Sequence, residues 1–412
     1  MGEVADAPSE GSELGLDISL NSVDATKVLA FKDKIISRLH KGVQGLVKSR
    51  KVEYVEGFGR LTGPNTISVE TSDGVRELQG RSIILATGSF SKTLPPGLEL
   101  GDRIIDSEAA LQLPELPKNP IILGGGVIGV EFASVWKSLG AESVTIVEGL
   151  PHLAANEDEA LSKALERAYR KRGIAFSLGT FFEKAVQSDS GVTVTLADGT
   201  VYEGDYLLVA VGRGPVTQGL GFEEQGIEMD RGFVLADKET LETNVPGVYA
   251  VGDIVPGLQL AHRGFQQGIF VAERIAGGQK PAPIIESGIP RITYCDPQLG
   301  SVGLTEKQAK EQFGDDGVEA YEYNLGGNAK SQILGTTGFI KMVREKNGPI
   351  VGGVHMIGAR VSELMGEAQL IVNWEAYPED VASLIHGHPP SQHEAMGEAA
   401  LALAGKPLHA HA

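Results

Sequence analysis

The stretch PIILGGGVIGVE, residues 120–131, decides the fold. Ile121, Ile122 and Leu123 form a continuous apolar run, as expected of a strand buried on both faces of a parallel sheet. Three glycines follow in G-x-G-x-x-G spacing. Gly124 permits the tight turn, Gly126 lets a pyrophosphate approach the backbone, and Gly129 allows the helix to pack closely on the strand. The helix opening here continues through Phe132, Val135 and Leu139 and turns its free N–H groups and positive dipole end toward an anion. Beyond it SVTIVE (143–148) reads as a second short strand. It ends in Glu148, 24 residues after Gly124, where a carboxylate accepts the ribose hydroxyls of an adenosine. An acid there, with no arginine beside it, favours NAD over NADP, because a 2′-phosphate would be repelled.

The surrounding pattern occurs twice. Val192, Val194 and Leu196 alternate up to the hairpin signal Asp198-Gly199, and the buried run YLLVAVGR (206–213) ends in a glycine turn. Earlier, Ile67 and Val69 alternate up to Asp73-Gly74, and SIILATGS (82–89) ends in its own glycine turn. Paired turns at matching places in a repeat suggest two dinucleotide sites. In the second copy the opening glycine, Gly124, precedes the closing one, Gly212, by 88 positions; the same spacing before Gly88 leads to position zero. The sequence as given is therefore expected to start inside its first nucleotide-binding unit and to lack about 50–60 residues of it. The strands beside the lacking one are expected to lose ladder partners and expose an apolar edge.

Residues 1–21 are polar and unpatterned, whereas Val28, Phe31, Ile35, Leu39, Val43 and Leu46 mark one face of a helix. A third short strand, GVYAVGD (247–253), places Asp253 at a strand end, as an acceptor for ribitol or ribose hydroxyls or as an ordinary helix-entry residue. A helix from about Gly264 to Ala276 follows QLAHRGFQQG (259–268). From Arg291 onward strands are expected at ITYCD, VEAYEYN, GFIKMVRE and VGGVHMIG, with a Thr305/Gln308 capping box opening one helix and a longer helix at Ser362–Tyr377. This mixed order suggests a separate α+β domain.

Composition narrows the partners. In 412 residues Lys plus Arg number 36 against 54 Asp plus Glu, and the net charge of −18 disfavours nucleic acid or an anionic membrane. There is no apolar run of the ~18 residues a membrane helix needs, and the acidic start MGEVADAPSEGSELG has no signal-peptide plan. One cysteine, Cys295 in the strand pattern ITYC, excludes an intrachain disulfide and indicates a reducing, cytoplasmic setting. The histidine segments HGH and HAHA lack a third and fourth ligand at suitable spacing, so no metal is expected.

The order ATGS, GGGVIGVEFASVW, VTIVE, VAVGRGP, NVPGVYAVGD, QLAHRGFQQG, ITYCDPQLGSVGLTE and HGHPPSQHEAMGEAALAL resembles the flavin-dependent pyridine nucleotide-disulfide oxidoreductases, most closely their dihydrolipoamide-oxidising branch. The resemblance implies an α/β fold with two Rossmann-like dinucleotide-binding domains, the FAD one incomplete here, and an α+β dimerisation domain. It divides the chain into an FAD-binding domain (1–112 and 245–285), an NAD-binding domain (113–244) and a C-terminal domain (286–412). It implies oxidation of protein-bound dihydrolipoamide with NAD through FAD and a redox disulfide, in a homodimer serving lipoyl domains of 2-oxoacid dehydrogenase or glycine cleavage complexes. By motif position it assigns NAD to Gly124, Gly125, Gly126, Val127, Ile128, Gly129, Val130, Glu131, Glu148 and Gly212. FAD falls to Thr87, Gly88, Ser89, Asp253, Gln259, Leu260, Ala261 and His262. His388 matches the family's base, with Glu394 as its carboxylate partner, although HPPSQHE spaces the two by six residues where the family has five. The family's first glycine fingerprint, the acid for the FAD ribose and the cysteine pair have no match in this sequence, so activity of the chain as given is in doubt. A different flavoprotein disulfide reductase, or a non-catalytic NAD-binding and dimerising module, are the alternative readings.

Overall fold

The computed structural model describes residues 2–93, 98–277, 282–350 and 352–409. Backbone contacts divide the chain into two compact units: Met1–Ala25 with Thr93–Val211 and Ser287–Ala412, and Thr26–Lys92 with Gly212–Glu286.

In the first unit a five-stranded parallel sheet runs in the order Ile104–Ile105, Leu207–Val209, Ile121–Leu123, Val144–Glu148, Ile174–Leu178. The apolar run of the opening motif is buried at all three positions because the sheet is covered on both faces. Helices Val127–Ser138 and Glu159–Lys171 supply one cover through Val130, Ala133, Leu161 and Leu165, all fully buried. The other face packs on the antiparallel sheet Phe182–Ser188, Gly191–Leu196, Val201–Gly204, whose alternation turns Val192, Val194 and Leu196 inward.

The same unit contains a five-stranded antiparallel sheet in the order Arg291–Thr293, Gln298–Val302, Gly353–Gly358, Phe339–Glu345, Val318–Asn324. Helices Val361–Asn373 and His393–Leu403 cover it. Thr305 opens the helix Glu306–Phe313 with the expected capping box.

Some boundaries differ from the sequence expectation. Residues 1–21 are not wholly unpatterned: Gly2–Ala5 and Ala7–Glu13 are short helices, tied down where Ser138 Oγ donates to Asp6 Oδ2 at 2.6 Å and Arg360 reaches Glu3 at 3.2 Å. Such helices owe their order to tertiary contacts that no local periodicity reports. The strand read at ITYCD ends at Thr293, so Cys295 lies just past it, still buried. The long helix ends at Asn373 rather than Tyr377. The strand Gln298–Val302 was not anticipated; it is buried on both faces and shows no alternation. Val351 of VGGVHMIG and His411 of HAHA lie outside the described residues.

In the second unit the hairpin sheet Phe58–Gly63, Thr66–Thr71, Gly74–Gln79 turns at the anticipated Asp73-Gly74, with Thr71 opposite Gly74. It is followed by the strand Ile83–Leu85, which pairs in parallel with Val248–Ala250. The same sequence of hairpin sheet and buried strand occurs in the first unit, so the repeat is structural. Among the described residues this parallel sheet has two strands, and Ile84 is 41% exposed. The helix predicted near Gly264 begins at Ala261, because Leu260 is already in extended N-cap geometry. Helix Ala25–Ser49 carries the predicted apolar stripe and buries none of its residues; Phe31, Leu39 and Leu46 are all exposed. No helix among the described residues is long and apolar enough to cross a membrane.

Candidate functional site

The glycine turn is built by three different steric demands. Gly124 has φ +110°, and a Cβ on it would lie 2.3 Å from the Ala210 carbonyl oxygen of the neighbouring strand. A Cβ on Gly129 would fall 1.9 Å from the Gly124 carbonyl oxygen, so helix and turn touch backbone to backbone there. At Gly126, the N-cap of helix Val127–Ser138, a Cβ would meet nothing within 4 Å. Two of the glycines are thus demanded by the protein's own packing, and the third opens onto free space beside the helix N-terminus. This is a cradle of the shape a pyrophosphate requires.

Glu148 closes the cradle. Its Oε2 accepts from Gly125 N at 2.6 Å and its Oε1 from Leu150 N at 2.8 Å, so the carboxylate is held at the rim of the turn. A Cβ on Gly125 would come 2.7 Å from Leu153 and 3.1 Å from Glu148, which keeps that backbone close to the acid. Val127 is exposed at the helix start, whereas Val130 is fully buried and its carbonyl accepts from Tyr169 Oη at 2.6 Å. Ile128 packs against the core. Glu131 accepts from Tyr294 N at 2.7 Å; burial pushes its carboxyl above the ordinary range and that N–H offsets the effect only in part. Gly212, at φ +113°, belongs to the second unit, where its carbonyl accepts from Lys92 N at 3.0 Å.

The flavin candidates cluster in the second unit. Ser89 Oγ donates to Asp253 Oδ2 at 2.5 Å, and Arg213 donates from Nε to Ser89 Oγ at 2.6 Å and from Nη2 to Ser89 O at 2.8 Å. Thr87 Oγ1 donates to Val216 O, and Gly88, at φ +76°, accepts from Val216 N at 2.9 Å. Asp253 lies in the turn after Val248–Ala250, and Gln259 Nε2 reaches its carbonyl at 3.3 Å. Leu260 caps the helix that Ala261 and His262 begin. Arg213 was missed by the sequence reading; the signal was a cation directly after the glycine turn.

The groups needed by the two dinucleotides are not equally represented. The residues around Gly124 fit NAD, since the cradle, the helix N-terminus and the ribose acid are all in place. The second unit offers an acid and a helix N-terminus to a ribitol chain, but among its described residues no strand–glycine–helix cradle receives a second pyrophosphate, so a whole FAD does not fit these residues alone.

His388 is exposed, and its Nδ1 lies 2.7 Å from the Pro389 carbonyl oxygen. Glu394 Oε2 accepts from Ser391 N at 2.8 Å, and no hydrogen bond joins it to His388 among the described residues. The carboxylate that reaches a histidine ring of this segment is Glu367, bonded to His393 Nδ1 at 2.8 Å. Cys295 is buried and donates to Pro297 O at 3.1 Å; burial pushes its thiol up to about 12.

Residues 4–268 match the family model for pyridine nucleotide-disulphide oxidoreductases, and residues 289–400 match that family's dimerisation domain. The chain belongs to the pyridine nucleotide-disulphide oxidoreductases. Members similar to it include dihydrolipoyl dehydrogenase 1 of Arabidopsis thaliana mitochondria, 38% identical over 96% of this chain and 78% of that one. Dihydrolipoyl dehydrogenase 3 of Pseudomonas putida is 37% identical over 96% of this chain and 85% of its own. These homologues are FAD- and NAD-dependent oxidoreductases. LpdA of Mycobacterium tuberculosis shares the fold with a TM-score of 0.88 at 24% identity, covering 98% of this chain and 87% of that one.

Proposed function

We propose that this oxidoreductase serves the NAD side of dihydrolipoamide oxidation. The cradle of Gly124, Gly126 and Gly129 beside Glu148 carries the reading. NAD, when bound, supplies the hydride acceptor. The chain's part is to seat the pyrophosphate on the N-terminus of helix Val127–Ser138 and the adenosine ribose on Glu148, with Gly125–Glu131 lining the turn. We assign the three domains as 1–112 with 245–285, 113–244 and 286–412, and Gly212 to the NAD side. Thr87–Ser89, Asp253 and Gln259–His262 are assigned to the flavin side.

His388 is assigned as the base. With Nδ1 facing a carbonyl acceptor, that nitrogen holds the proton and leaves Nε2 to take one from a thiol or return it. Glu394 steadies the same loop through Ser391 N. The dithiol exchange needs two thiols, and these 412 residues contain one, buried, so it is assigned to no residue of this chain. The partners are a second copy, through 289–400, and a lipoyl-bearing protein in a reducing compartment such as the cytoplasm.

Calorimetric titration of the chain with NAD and NADP tests the reading. NAD is expected to bind more tightly, and Glu148→Gln to weaken NAD by about tenfold or more, the loss of a charged hydrogen bond. Failure to bind NAD, or tighter binding of NADP, overturns it.

A further inference from the structure

His386 and His388 stand on the segment between the helices Pro378–Ala382 and His393–Leu403, and His393 opens the second of them. Glu367, half-buried on the helix Val361–Asn373, reaches two of the three: Oε2 lies 2.8 Å from His393 Nδ1, and Oε1 lies 3.2 Å from His386 Nε2. The His386 ring is largely buried. It fits only because residue 397 is glycine, where a Cβ would come 2.7 Å from Nδ1. Its Nδ1 faces the Leu384 carbonyl oxygen at 3.2 Å. Both ring nitrogens of His386 therefore confront acceptors, one a carbonyl and one a carboxylate. With Nδ1 donating to the carbonyl, a neutral ring would turn the Nε2 lone pair toward the carboxylate 3.2 Å away; the contact lies off the hydrogen-bond line and is an ion pair, which an imidazolium makes and a neutral ring does not.

We propose that Glu367 is the positioning residue of this loop: its carboxylate holds His386 as an imidazolium and His393 as a second tether, and so fixes the segment on which His388 stands. Glu394, expected from sequence to orient His388, is engaged with Ser391 N and does not reach His386 or His393 by a hydrogen bond among the described residues. Among the described residues the charged group facing His386 is Glu367 on the helix Val361–Asn373, to which His393 at the start of the next helix is also bonded. Glu367 raises the affinity of His386 for its proton against the effect of burial, and the two histidines in turn hold Glu367 below the ordinary carboxyl range despite its burial. The consequence for a proton-transferring His388 rests on the function proposed above, but the clamp itself does not.

The test is histidine ring NMR on the full chain labelled with 15N-histidine. In the unmutated chain the His386 ring is expected to show two protonated nitrogens at pH 7 and to titrate above the ordinary histidine range. Glu367→Gln is expected to lower that midpoint and to speed amide exchange across 384–392 by about tenfold or more, the loss of a charged bond. Glu394→Gln is expected to leave the His386 midpoint in place. The proposal is overturned if the unmutated ring is singly protonated at pH 7, or if Glu367→Gln leaves the midpoint and exchange unchanged. It is equally overturned if Glu394→Gln reproduces the effect. NAD titration of the same samples reports separately on the proposed function, so the two can fail independently.

Discussion

Lys341 Nζ lies 2.8 Å from Asp158 Oδ1 with both side chains buried, the lysine coming from the strand Phe339–Glu345 and the aspartate from the N-cap of helix Glu159–Lys171. Asp158 does more than pair. Its Oδ1 also accepts from Ala160 N and its Oδ2 from Glu306 N, so one carboxylate stops the exposed N–H groups of two helices while Lys341 bridges on to Glu306 at 2.7 Å. The parallel-sheet and antiparallel-sheet parts of the first unit are joined here by a buried charge.

Removing Lys341 leaves the Asp158 charge buried with only backbone N–H donors to offset it. Lys341→Met is expected to cost about 3–5 kcal/mol in urea unfolding. The pH dependence has a sign. Burial acts to raise Asp158, but His355, Lys341 and the Glu306 N–H together outweigh it and hold it below the ordinary range. The stability it lends is therefore present above the unfolded pKa of about 3.9 and is lost as pH falls through the lower folded value. Lys341 is raised on balance against burial, so its share is lost only as pH rises past about 10.4. The share of the urea midpoint that this pair supplies should stay flat through neutral pH and drop on the acid side, so Lys341→Met should reduce the acid arm while leaving the slope through neutral pH as it is. An unchanged acid arm in the variant would show that other carboxylates govern it.

The glycines of the cradle should separate folding from binding. Gly129→Ala forces a Cβ against backbone and is expected to destabilise by about 3 kcal/mol, read as a lower Tm. Gly126→Ala meets no protein atom, so its Tm should change by no more than about 1 kcal/mol equivalent while NAD affinity falls by about tenfold or more. Equal losses of Tm in the two variants would contradict the geometry.

Cys295 should be inert while the chain is folded. With the thiol at about 12, the thiolate is roughly a thousandfold scarcer than for a free cysteine of pKa about 8.5 at pH 8, and burial also blocks access. Ellman's reagent is expected to label it only at the rate of unfolding, and at once in guanidinium. Rapid native labelling would place the thiol at the surface.

Helix Ala25–Ser49 should tolerate polar substitution on its apolar stripe. Leu39 is 66% exposed, so Leu39→Lys removes little packing and is expected to shift stability by less than about 0.5 kcal/mol in chemical denaturation. A loss above 2 kcal/mol would mean that this stripe is covered in solution.

What could be read from the sequence was what local chemistry dictates. A glycine that must leave room for a carbonyl oxygen, as at Gly129, an acid closing a strand, as at Glu148, and a hairpin at Asp73-Gly74 each follow from a few neighbouring residues, and so did the family resemblance that their order carries. The NAD candidates from Gly124 to Glu131 and Glu148 fall in one unit for the same reason. The antiparallel strand Gln298–Val302 did not show, because a strand buried on both faces has no period to detect.

The tertiary structure alone decided which distant side chains meet. That Arg213 braces Ser89, that Asp158 serves Glu306 N and Lys341, and that Glu367 rather than Glu394 reaches the histidine rings depend on separations of 19 to 183 residues closed by packing. A carboxylate's partner is set by burial and by which donors the fold brings within about 3 Å, and neither quantity is local in sequence.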